Sequence, residues 1–125
     1  KKEEPEEEEL SADEELEIAK YTLDRIISEA NFGTEEVFVY GPAALYGDYW
    51  KIVSFSREEK PKACSNLGWE SCLCICNNEL LNNDAEECDE SGACRESDLL
   101  VEGQEIAIKD VPVVLEIKDG VIRKK

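Results

Sequence analysis

Residues 69–76 read Trp-Glu-Ser-Cys-Leu-Cys-Ile-Cys. In an extended chain, side chains two apart share a face, so Cys72, Cys74 and Cys76 line one side while Leu73 and Ile75 line the other. Both faces are apolar, which predicts an interior strand with material covering it on either side. The remaining cysteines, Cys64, Cys88 and Cys94, lie close by, so all six fall within residues 64–94. Neighbours in the C-x-C-x-C run hold their thiols side by side and bond poorly to one another. Each therefore takes a partner outside the run, which cuts the fifteen connectivities open to six cysteines to six. The chain leaving Cys76 has to turn back along the same face. Such antiparallel nesting favours Cys76–Cys88, Cys74–Cys94 and Cys64–Cys72. An even number of clustered cysteines points to an oxidising compartment and an extracellular or cell-surface location.

Thiolates also bind soft ions such as copper and zinc, and C-x-C steps occur in such clusters. No C-x-x-C knuckle is present and the chain has no histidine. Glu86, Glu87, Asp89 and Glu90 around Cys88 would hold its thiol in the protonated form. Disulfides are therefore the first reading of the cysteines and a metal-binding module the alternative. The same acidic stretch, Asp84, Glu86, Glu87, Asp89 and Glu90, offers hard oxygen ligands of the kind Ca2+ takes. Its spacing does not follow the EF-hand pattern, so a solvated acidic loop is the simpler reading.

Upstream, residues 49–56 (YWKIVSFS) form a second strand with apolar groups on both faces, which predicts a central position, with Trp50 and Phe55 in the core. Residues 36–40 (EVFVY) alternate and end at Gly41-Pro42. Six aromatics, Phe38, Tyr40, Tyr46, Tyr49, Trp50 and Phe55, crowd this part of the chain. They are expected to cover the sheet beneath a helix. Tyr46 and Tyr49, either side of Gly47-Asp48, are the candidates for stacking on a partner.

Downstream, residues 77–97 are polar and lack periodicity, a long loop that bridges would hold. Short strands follow at 99–101, 105–109 and 113–117. Asp119-Gly120 then makes a two-residue hairpin turn into 121–123. Before all of these, Leu16, Ala19, Leu23, Ile26 and Ala30 recur at helical spacing, with Ile27 widening the stripe. Ser11 and Glu14 fit a capping box and Gly33 a C-terminal stop. The expected fold is α+β: one N-terminal amphipathic helix packed on an antiparallel sheet of about five to seven strands, with a disulfide-stapled loop region. Residues 1–10 are expected to be a disordered acidic tether, and residues 11–125 a single domain containing the bridged 64–94 subregion.

The chain has 125 residues and a net charge of −17, with 31 acidic and 14 basic side chains. A surface of that sign repels phosphate backbones and anionic lipid. Nucleic acid is therefore excluded as a partner, and a membrane is reached only through an anchor absent from this chain. Without histidine there is no ordinary general base to activate a serine. The chain is expected to be no enzyme and to need no cofactor, with Ca2+ the one ion the acidic loop could take. One helix, an antiparallel sheet and a cysteine-bound loop are similar in plan to pilin-like head domains. Pro5 and the flanking glutamates break the apolar stem such a helix would continue into. The function expected is that of an exported structural or adhesive domain, acting through a protein partner or self-assembly. It would be the ectodomain of a membrane-anchored protein or a surface-appendage subunit.

Overall fold

The computed structural model describes residues 12–42, 49–56, 60–77, 85, 88–89, 91–109 and 111–125. The predicted cap Ser11, the acidic tether and the Gly47-Asp48 turn lie outside these residues.

Helix α1 runs Ala12–Asn31. Its stripe is where the spacing puts it: Ala19, Leu23 and Ile26 are fully buried, with Leu16, Ile27 and Ala30 packed at the margin. Thr22, which a purely apolar pattern passes over, is also buried, because its hydroxyl donates to the Gly41 carbonyl at 3.2 Å. Gly33, at φ +83°, ends the helix. The Thr34 N–H bonds back to Glu29 O at 3.0 Å and the Gly33 N–H to Ala30 O at 3.1 Å. These two bonds satisfy terminal carbonyls in a Schellman motif.

Among the described residues eight strands follow, divided between two four-stranded sheets. They are β1 (Glu36–Val39), β2 (Trp50–Ser56), β3 (Ser71–Asn77), β4 (Gly92–Glu96), β5 (Leu100–Val101), β6 (Glu105–Ile108), β7 (Val113–Lys118) and β8 (Val121–Lys124). A one-turn helix, α2 (Lys62–Ser65), precedes β3. The first sheet has the order β1-β7-β8-β5 and the second β4-β3-β2-β6. Every pairing is antiparallel except β5 with β8. The chain passes between sheets at 102–104, where Gly103 and Gln104 have φ of +76° and +79°. There the Val101 N–H donates to the Ser54 hydroxyl at 2.9 Å, tying the edge of one sheet to the middle of the other.

The α+β plan and the N-terminal helix are as the sequence predicts. The strands differ from the expected single antiparallel sheet: they form two sheets, and one pair, β5 with β8, is parallel. Helix α1 lies on β3 and β4 of the second sheet and reaches β1 of the first. Asp24 accepts from the Arg95 guanidinium of β4 at 2.9 Å, and Arg25 donates to the Phe38 carbonyl of β1 at 2.6 Å. The principal core lies among these elements and contains Leu23, Ile26, Val39, Trp50, Ile52, Leu73, Ile75, Leu115 and Ile122, with no cysteine.

β2 is central, between β3 and β6, and all but its last residue are buried. The polar 77–97 stretch, expected to be a loop throughout, holds β4. Only Ala93 of that strand is buried, and Arg95 and Glu96 at its end are polar, as suits a sheet edge. The aromatic expectation is corrected as well. Trp50 lies in the principal core and Phe55 in a second cluster on the opposite face of the sheet. Phe38 and Tyr40 face solvent, at 38% and 65% exposure.

Candidate functional site: the cysteine-bearing face of the second sheet

The alternation of β3 divides two environments. Leu73 and Ile75 enter the principal core, whereas Cys72, Cys74 and Cys76 enter a second buried cluster on the far face of the sheet. Their neighbours across the ladder on β2 are Phe55, Val53 and Lys51, respectively. On the other side, Cys74 stands directly opposite Cys94 of β4.

Three disulfides close this face: Cys64–Cys72, Cys74–Cys94 and Cys76–Cys88, with Cα separations of 6.4, 4.1 and 4.8 Å. This is the pairing that nesting favours, and none of the six cysteines is free. The Cys76–Cys88 loop lies inside the Cys74–Cys94 loop. Trp69 and Ala85 pack around the sulfurs. The bridged segments thus form a lid over a sheet face that would otherwise expose Val53 and Phe55.

The lid is also held without covalent bonds. Asp89, one residue past Cys88, accepts the Lys62 N–H at 2.8 Å and the Ala63 N–H at 3.1 Å. These are the first amides of α2, which carries Cys64, so one carboxylate caps the helix and joins two bridges. The backbone of Asn77 donates to Ser91 O at 2.8 Å as the chain returns to β4. Gly92 admits the close passage of residue 88: a Cβ there would lie 2.8 Å from the Cys88 carbonyl oxygen.

Lys51 is 2% exposed on this face, and its ammonium lies 3.7 Å from the Glu105 carboxylate. The burial of Lys51 is not among the expectations drawn from the sequence. The clue was a lysine between Trp50 and Ile52 in a strand apolar on both sides, where only a paired charge is tolerated.

The sulfurs lie closer together than their connectivity alone requires. Cys72 Sγ and Cys74 Sγ, unbonded, are 3.9 Å apart. The Sγ atoms of Cys64, Cys72, Cys74 and Cys94 all lie within 4.8 Å of one another, and those of Cys74, Cys76 and Cys88 form a second such group.

Tyr46, Asp84, Glu86, Glu87 and Glu90 lie outside the described residues. Asp89 caps α2. Tyr49 is partly buried, with the Lys109 ammonium 4.1 Å from its ring centroid. Among the described residues, the exposed aromatics are Tyr21, Phe32, Phe38 and Tyr40. Phe38 and Tyr40 were legible as the outward positions of an alternating strand whose inward ones are Val37 and Val39.

No family model, curated protein or solved structure matches this chain. Three disulfides are the mark of an oxidising environment. Among the described residues, no helix is long and apolar enough to cross a membrane.

Proposed function

We propose that this chain is an exported, non-enzymatic structural or adhesive domain, the ectodomain of a membrane-anchored protein or a surface-appendage subunit. The observation that carries this reading is the use of all six cysteines in three bridges on one sheet face. A chain kept in a reducing compartment would not retain them. Bridging also removes every thiol as a nucleophile, and the chain has no histidine to serve as a base. The net charge of −17 favours protein partners over nucleic acid. Exposed Tyr21, Phe38 and Tyr40, on α1, on β1 and just beyond β1, are side chains of the type that anchor protein contacts.

Intact mass under denaturing conditions, with and without reduction, tests the reading. Unreduced protein is expected to be about 6 Da lighter than reduced protein, one hydrogen for each bridged sulfur, and to take up no alkylating agent. Six alkylatable thiols in freshly isolated protein would overturn it.

A further inference from the structure

We propose that Cys64, Cys72, Cys74 and Cys94, once their two bridges are open, form a single tetrathiolate site for Zn2+. This inference does not depend on the exported reading; it concerns the same chain before oxidation.

The geometry supplies the argument. In a closed zinc site the metal–sulfur distance is about 2.3 Å, so the sulfurs of a tetrahedron stand about 3.8 Å apart. The unbonded pair Cys72 Sγ–Cys74 Sγ is already at 3.9 Å, and no pair in the set exceeds 4.8 Å. The two bonded pairs need to part from about 2 to about 3.8 Å. The other sulfur group, Cys74, Cys76 and Cys88, has three members and leaves a tetrahedral shell incomplete.

Backbone and side-chain hydrogen bonds hold the framework that places these sulfurs alongside the bridges, and bound metal would take over the bridges' part. Cys72, Cys74 and Cys94 belong to the β3–β4 ladder, where Cys74 and Cys94 are register partners. Cys64 is fixed by α2, through its own N–H to Pro61 O at 3.0 Å and through the Asp89 cap on the preceding two amides. Cys64, Cys72 and Cys74 are fully buried, so bound metal would be shielded from water. The ligand set comes from one helix and two strands, which is why no C-x-x-C knuckle announces it in the sequence.

The chemistry balances. Two molecules of an external dithiol supply four electrons and four protons, open both bridges to four thiols, and leave as cyclic disulfides. Zn2+ then displaces the four protons and is held by four thiolates. A nascent chain that meets zinc before an oxidant would adopt this form, and oxidation to the two bridges would release the ion.

The test uses the full chain, unfolded in denaturant with dithiol, freed of both, and refolded anaerobically with Co2+ or Zn2+. One equivalent of Co2+ is expected to bind, with the visible absorption of a tetrahedral thiolate site, and Zn2+ should displace it. The double variant Cys76→Ser/Cys88→Ser is expected to bind the same single equivalent. Cys64→Ser should bind at least about 10–100-fold more weakly, since loss of even an outer-shell partner costs that much. Absence of stoichiometric binding by the refolded reduced chain would overturn the proposal. So would undiminished affinity in Cys64→Ser, or loss of the cobalt spectrum in the Cys76/Cys88 variant while Cys64→Ser retains it.

Discussion

Gly92 opens β4 at the point where the returning chain passes over the sheet. A methyl group there would meet Cys88 O at 2.8 Å and both Cys76 Sγ and Cys88 Cα at 3.1 Å. Two of those atoms are backbone and the third is tied into a bridge, so none can swing aside as a flexible side-chain end would. Gly92→Ala is therefore expected to destabilise the oxidised protein by about 1–3 kcal/mol, the usual cost of overpacking. Urea unfolding without reductant measures it. The same scale shows where residue-by-residue reading of the sequence stops. Lys51 and Asp89 each have a defined task in the structure, yet only Lys51, set between apolar neighbours, carries a local sign of it. A lysine's burial depends on what covers its strand. An aspartate's role as a cap depends on which amides a distant segment brings to it.

Elements were more legible than their neighbours. The helix could be read because a 3.6-residue period and a glycine stop are local properties, and the structure adds only Thr22 to its buried face. The hairpin between β7 and β8 was equally legible: Asp119 and Gly120 have φ of +55° and +78°, as a type I′ turn requires. What period-two alternation cannot give is the partner of each strand. It says which side chains share a face, not which strand lies alongside, so the split into two sheets and the parallel β5–β8 pair carried no local signal. β4 was hidden for a related reason, since an edge strand is free to be polar. Helix α1 lies on one sheet and reaches the other, so truncating its buried centre should damage both. Leu23→Ala is expected to cost about 2–5 kcal/mol in thermal or denaturant unfolding, as large-to-small changes at fully buried leucines do. Tyr21→Ala, two residues away and 68% exposed, should stay within about 0.5 kcal/mol.

Taken whole, the molecule has two interiors with different means of cohesion. The principal core is held by apolar burial alone; the one on the far face of the second sheet combines burial with three bridges. In the loop-entropy picture, the separations of 8, 12 and 20 residues are worth about 2.5, 2.8 and 3.3 kcal/mol. Because the Cys76–Cys88 loop is nested in the Cys74–Cys94 loop, these values overlap, and pairwise Cys→Ser replacement is expected to cost about 2–3 kcal/mol at each bridge, read from midpoints of chemical unfolding. Together these values are comparable with the entire stability of a typical domain, about 5–15 kcal/mol. Full reduction should therefore bring the chain near the limit of folding. Amide exchange in the reduced protein is expected to rise first in α2 and β4 and last in β7 and β8, which belong to the sheet without cysteines.

The side-by-side arrangement of the Cys64–Cys72 and Cys74–Cys94 loops has a mechanical consequence. Under tension applied at the ends, the covalent path jumps from Cys64 to Cys72 and, two residues later, from Cys74 to Cys94. The residues enclosed by those jumps never bear load. An oxidised molecule pulled to full extension would fall short of its reduced counterpart by roughly 90 Å, at about 3.5 Å per residue. The third bridge adds nothing to this shortfall, because it is already enclosed by the second. Whenever the molecule is loaded at its two ends, the bridges therefore set how far it can yield.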